Sequence, residues 1–435
     1  MNEDTEPSLT VAVVGSGASG CYLAQSLVQK IRDIDITIIE RLPTPYGLIR
    51  YGVAPDHQGT KTPVRQFEKM FQNGSVRFLG NIEVGRDLSL DELREMFDVV
   101  VLATGMTGDR RLAVPGHDLR RVYGAGQVTR WLNEHPDAVD FEPHFGEQVA
   151  IVGNGNVAID ILRLLIKKSD SYDRTDFAHD IRKTIEQQGI TQITIVGRSR
   201  AADAKFHSHM IRELAGFDHV RYETDPAALV GDTDIAAASV KLEALRELGV
   251  PPLGTESVTV RFLFGWVPEC VHGVDSVEFV DFVAADGSGC RLRVDADSVV
   301  TAIGFEERDG ATLRRSEFED TTSDLAQGFL GAGLFCVGWF RNGPQGGIPE
   351  ARKDAKMVAT SIEKMVIDGM VSTGRAGFDA LPISILAKGT NYHGWSLIDR
   401  HETGAADGGL VRRKIRDLET LIQVARSEVP PESRS

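Results

Sequence analysis

Apolar runs that stop at a glycine recur along this chain. The run LTVAVV ends at Gly15 and is followed by ASGCYLAQSLV, which reads as a short strand, a tight turn and a helix. A second strand, DITIIE, ends at Glu40. Further on, GEQVAIVG ends at Gly153 and leads into the helical stretch VAIDILRLLIKK. After a long insertion comes ITQITIVGRSR, a strand that ends in Arg198 and Arg200. DVVVLATG (98–105) and DSVVTAIG (ending at Gly304) are apolar runs of the same kind, one in each half of the chain. Runs of this form predict buried parallel strands, and their alternation with helices predicts an α/β fold. None approaches the roughly 18 apolar residues that a membrane span needs.

The two glycine turns carry the candidate chemistry. Gly15, Gly17 and Gly20, with Ser16 and Ala18 between them, fit G-x-G-x-x-G. The first glycine permits the turn, the second admits a pyrophosphate, and the third lets helix and strand pack closely. The helix N-terminus adds free N–H groups and positive partial charge. Glu40 stands where an acid normally binds a ribose 2′-hydroxyl and would repel a 2′-phosphate. The first site is therefore expected to hold FAD or NAD. The second turn, Gly153, Asn154, Gly155, Asn156, Val157, has the same build, but its third glycine is missing and Asn156 is read as the variant position. Its partner strand ends in Arg198 and Arg200, cations that suit a 2′-phosphate. The two turns thus predict two different nucleotides, FAD first and NADPH second.

With 435 residues, 42% apolar and 26% charged, the chain has room for two domains of ordinary globular composition. A formal charge of -15 argues against a nucleic-acid partner. Cys21, Cys270, Cys290 and Cys336 form no CxxC pair, so neither a zinc ribbon nor a cysteine-ligated cluster is expected. His207 and His209 lack further ligands in sequence, and no metal is expected. The acidic N-terminus is unlike a secretory or transit leader, which predicts a cytoplasmic protein. The tail SEVPPESRS has the composition of a disordered end.

The stretch RLPTPYGLIRYGVAPDHQGTKTPVRQFEK (41–69) resembles the adrenodoxin reductase type of ferredoxin–NADP(+) reductase, including its bacterial members. GNGNVAID, VGWFRNGPQGGIPEARKDA (337–355) and HGWSLIDRHETG are similar to the same family, so the resemblance runs from about residue 10 to about 425. It implies two dinucleotide-binding, Rossmann-like domains. The NADP domain (108–330) is inserted into a discontinuous FAD domain (1–107 and 331–435). It also implies electron flow from NADPH to FAD and then singly to a ferredoxin-type iron–sulfur protein, which in turn supplies an oxygenase such as a cytochrome P450. The positions matching Glu40, Leu48, Val84, Trp339, Gly346, Gly347 and Ile348 contact FAD in that family. Those matching Arg110 and Asn154 to Val157 contact NADP, and His57 and Glu213 lie near the reacting rings. Taken alone, Trp339 reads as a core aromatic and His57 as a structural histidine.

The chain departs from the family at the second nucleotide. Ser199 separates Arg198 from Arg200, where two adjacent arginines are usual, and Met210 replaces a glutamate on the adenosine side. NADH as donor therefore stays open. Arg163, Lys167, Lys168, Arg182, Lys183 and Arg212 are candidates for a basic face toward an acidic partner. Two other functions use the same cofactors: oxidation or hydroxylation of a small molecule with O2, and redox sensing without turnover. The absence of a dedicated substrate segment counts against the first, and the intact loops count against the second.

Overall fold

The structure is a computed structural model that describes residues 8–168, 173–230, 236–249, 254, 256–318 and 323–427. All but the first residue of the tail SEVPPESRS lies outside the described residues. In chain order the strands are β1 (Leu9–Val14), β2 (Ile34–Ile39), β3 (Arg77–Leu79), β4 (Val99–Leu102), β5 (Gly108–Asp109), β6 (Val122–Gly124), β7 (Gln148–Val152), β8 (Gln192–Gly197) and β9 (Val220–Thr224). They continue with β10 (Val258–Phe264), β11 (Trp266–His272), β12 (Phe279–Ala284), β13 (Arg291–Asp295), β14 (Ser298–Thr301), β15 (Phe305–Glu306), β16 (Phe329–Gly331) and β17 (Leu334–Cys336).

Twelve of the strands form two six-stranded sheets, each with its own core. The first has the order β16-β17-β4-β1-β2-β3 and is parallel except for β16. The second is wholly parallel, with the order β6-β14-β7-β8-β10-β9. The four residues of β4 and the four of β14 are buried throughout, because helices or further strands cover both faces. Helices Ala18–Lys30 and Ile348–Ile367 pack on one face of the first sheet, where Leu23, Leu27, Ala355 and Ile362 are fully buried. The helix Asn156–Ile166 supplies Ile159, Ile161 and Leu162 to the second core. The antiparallel sheet β11-β12-β13 lies over the other face of the second sheet, with Val280 and Phe282 packed against Ala150 and Val299.

The chain leaves the first sheet after β4 and returns to it through β16 and β17. The neck between the sheets is the short antiparallel pair β5–β15, with Asp109 opposite Phe305. Packing changes sides there rather than near residue 330. Thr312 Oγ1 donates to Val84 O at 2.7 Å, and Leu313, Phe318 and Leu325 pack against the core of the first sheet. The C-terminal segment returns to the same side. Trp395, Ile398 and Leu421 are buried there, and Arg50 is paired with the fully buried Glu402 at 2.5 Å.

Candidate functional site

Both glycine turns open a helix with nothing capping it from its own side chains. Gly15 (φ 110) and Gly153 (φ 127) adopt left-handed backbone at the ends of β1 and β7. A Cβ on either would lie 2.5 Å from Ala103 O or 2.1 Å from Ala302 O, so only glycine fits. Gly17 and Gly155 are the N-caps, neither with a side-chain cap, and a Cβ on either would meet nothing within 4 Å. Open space in front of uncapped N–H groups is the geometry that takes a phosphate. At the third position a Cβ on Gly20 would lie 2.1 Å from Gly15 O.

The second turn corrects the sequence reading at Asn156. Asn156 is the first residue of the helix, and its Oδ1 accepts from His207 N at 2.9 Å. Ala158, fully buried, takes the third close-packing position, so the turn is G-x-G-x-x-A.

The strand ends beside the two turns differ. Glu40 accepts from Ser16 N at 3.0 Å, Ser16 Oγ at 2.7 Å and Leu42 N at 3.2 Å, so its carboxylate is fixed against the first turn. At the end of β8, Arg198 is exposed and makes no ion pair among the described residues. Ser199 Oγ accepts from Asn154 Nδ2 at 2.9 Å, and Arg200 pairs with Asp203 at 2.8 Å. Met210 is buried in the second core and presents no polar group to a ligand.

The segments that leave the two turns meet at His57. Tyr46 N donates to Ser16 O, and the short helix Gly47–Tyr51 leads on to His57. Phe206 N donates to Asn154 O, and the helix Ser208–Leu214 then presents Glu213. His57 Nε2 lies 3.3 Å from Glu213 Oε2, and Nδ1 lies 3.6 Å from Asp160 Oδ1. Arg163, fully buried, reaches Asp56 at 2.7 and 3.0 Å and Asp160 at 2.7 Å, and Lys167 reaches Asp56 at 3.0 Å. The hydrogen bond that His57 donates to Glu213 raises the His57 pKa, against burial and the Arg163 charge. The same bond lowers that of Glu213. Burial pushes Asp56 up, but Arg163 and Lys167 outweigh it and hold the carboxyl at about 2. Burial leaves Asp160 raised. A proton is therefore favoured on the imidazole, flanked by carboxylates at both ring nitrogens.

Asp56, His57 and Glu213 offer ligand atoms within 4.8 Å of one another, but Asp56 is already held by two cations. A dication there would face a buried guanidinium, so the group is an ion network. The rings of His207 and His209 are 5.5 Å apart, with no third ligand grouped with them among the described residues.

The remaining site residues lie around these turns. Leu48 is a large apolar side chain left 43% exposed beside the first turn. Val84 is buried in the first sheet's core, and Arg110 is exposed at the neck, its N–H donating to Gly304 O at 3.1 Å. Trp339 is half-buried, stacked on Phe305 at 5.5 Å, and its Nε1–H donates to Gln345 O and Gly346 O at 3.1 and 3.3 Å. It is thus tied to the glycine turn before the helix Ile348–Ile367, not sunk in the core. Gly346 has φ 79, and Gly347 is the N-cap, its N–H accepted by Glu350 at 2.8 Å. Half of the expected basic face is not a surface. Arg163 and Arg182 are buried, and Lys167 is spent on Asp56. Lys168, Lys183 and Arg212 are exposed, the last paired with Glu247 at 3.0 Å. Asp160 escaped the sequence reading, and Arg163 was read as part of a basic face; the signal of their pairing was an acid and a base one turn apart on an apolar helix.

Residues 9–215 match the pyridine nucleotide-disulphide oxidoreductase family. The cindoxin reductase of Citrobacter braakii is 43% identical, over 98% of this chain and 92% of its own. The NADPH-ferredoxin reductase FprA of Mycobacterium leprae (strain TN) is 33% identical, over 95% and 98%. The solved structure of Mycobacterium tuberculosis FprA in complex with NADPH superposes with a TM-score of 0.88 at 29% identity, covering 97% of this chain and all of that one. Similarity over nearly the whole chain, together with the two uncapped glycine turns, shows that this chain belongs to the adrenodoxin reductase-type family of ferredoxin–NADP(+) reductases.

Proposed function

We propose that the protein passes a hydride from NADPH to FAD and then single electrons to a ferredoxin-type iron–sulfur protein. The observation that carries this reading is the meeting of the segments from both turns at His57 and Glu213, 3.3 Å apart. The first turn (Gly15 to Gly20) and Glu40 hold the FAD pyrophosphate and ribose. Leu48, Val84, Trp339 and Gly346 to Ile348 flank the flavin. Arg110, Asn154 to Val157, Arg198 and Arg200 hold NADPH. The FAD, when bound, supplies a ring that accepts an electron pair and releases electrons one at a time. The chain's own residues orient the donor over that ring and exclude water, and His57 keeps its proton between Asp160 and Glu213. The fold supports a discontinuous FAD domain from residues 1–107 and about 305–435, with the NADP domain inserted at the β5–β15 neck. No described helix is long and apolar enough to cross a membrane, and we place the reaction in the cytoplasm.

Anaerobic reduction of the purified flavoprotein tests this. NADPH bleaches the flavin faster than NADH, and added ferredoxin then carries electrons to a cytochrome. A flavoprotein that ignores ferredoxin but turns over rapidly with O2 and a small substrate would overturn the reading.

A further inference from the structure

The loop that carries His57 is fastened to the second sheet's side of the molecule by a buried ion group that hydride transfer does not consume. Asp176 is 3% exposed, and each of its carboxylate oxygens lies 2.8 Å from Lys61 Nζ. Lys414 Nζ approaches the same carboxylate at 3.2 Å, and Gln58 Nε2 donates to it at 3.0 Å. The Asp176 N–H donates to Pro55 O at 3.1 Å, and Gln58 Nε2 donates to that carbonyl at 2.8 Å. Lys414 also donates to Asn133 O at 3.1 Å. One carboxylate thus gathers the segment 55–61, the inserted segment and the C-terminal segment.

Two ammonium groups share this single carboxylate, with Arg412 also near Lys61. Burial and the neighbouring Lys414 lower the Lys61 pKa to about 7 against the pull of Asp176, so the group is a poor device for net stability, because desolvation offsets much of the attraction. It is a good device for fixing geometry, since any displacement leaves a buried charge unpartnered. His57 lies between two such anchors. Asp56 on one side is held by Arg163 and Lys167, and Gln58 and Lys61 on the other side are held by Asp176.

We propose that Asp176 is a positioning residue for hydride transfer: it locks the His57 loop onto the inserted domain and so sets how the nicotinamide meets the flavin. The functional half of this statement rests on the proposed hydride path; the structural half does not. Displacing reacting groups by about 1 Å costs about 100-fold in rate.

The test uses the purified flavoprotein with Asp176→Asn and Lys61→Met. Three quantities are read: the NMR titration of the His57 imidazole, amide exchange across residues 55–62, and the rate of anaerobic flavin reduction at saturating NADPH. The expected result is a His57 titration displaced downward as Glu213 is lost, faster exchange in that segment, and reduction slowed by about 10-fold or more, with FAD content unchanged. If Asp176→Asn does not fold, Lys61→Met leaves Asp176 and Lys414 paired one to one and carries the same readouts. Folded variants with wild-type titration and exchange overturn the proposal, whether or not the rate falls. A wild-type flavin that NADPH does not bleach overturns the proposed function instead, and the titration and exchange still decide the lock.

Discussion

The two glycine turns share a backbone and differ in what stands beside them. At the first, Glu40 is held by Ser16 and Leu42 through three hydrogen bonds before any ligand arrives. At the second, Arg198 is exposed and unpaired among the described residues, and Arg200 is engaged by Asp203. A preorganised acceptor loses little freedom on binding and suits a cofactor that stays. An exposed cation, not fixed by a partner beforehand, suits a substrate that must leave after each turnover. Close packing follows the same division: Gly20 has no room for a methyl group, whereas Ala158 already carries one.

The largest effect is expected from filling the turns themselves. Gly15→Val puts a branched side chain at φ 110 against Ala103 O, and the purified protein should be colourless. Gly153→Val, at φ 127 against Ala302 O, should keep its yellow flavin but lose bleaching by NADPH. If both variants lose FAD, the turns are not independent. The contrast at the strand ends comes next. Glu40→Ala removes a charged acceptor worth about 2 kcal/mol, so FAD should dissociate ~30-fold more readily, read by ultrafiltration and flavin absorbance.

Arg198→Ala should lower kcat/KM for NADPH by ~10-fold while NADH is unaffected, a modest loss because the side chain is exposed and screened. An equal fall for both donors would remove Arg198 from the 2′-phosphate site. A smaller change in the opposite direction is expected from Asp203→Asn. Freeing Arg200 should raise the NADPH-to-NADH ratio by about two- to three-fold, most clearly at low salt.

The smallest effect lies where the two regions meet. His57 is raised by Glu213, so its contribution to stability is present below the ordinary imidazole pKa and lost as pH rises through the folded value. His57→Gln should therefore have a lower Tm than wild type at pH ~5.5 and the same Tm at pH ~9. An equal difference at both values would mean that Glu213 does not hold the proton.

The parts of the site that lie within one stretch of chain could be read from composition and spacing. A turn, its helix and the residue ending the next strand are contiguous, and their chemistry follows from backbone sterics and the helix dipole. Glu40, Arg198 and both turns were read this way, although the close-packing position held by Ala158 was misassigned to Asn156. That His57 and Glu213 belong to one region came from resemblance to a family, and their pairing came only from the structure, since 156 residues separate them and nothing local joins them. Asp160 and Asp176 were invisible, and Arg163 was placed on a basic face. A charged residue in a sequence looks the same whether it ends up solvated or buried, and burial depends on which distant segment closes over it. Arg163 reads as a surface cation on an amphipathic helix, yet it is fully buried because Asp56 arrives from the far side of the neck. Sequence thus determined the two glycine turns and the sign of the charge beside each. The packing of one side of the neck against the other decided which charges became the junction between them, because burial there turns a weak surface pair into a fixed geometry.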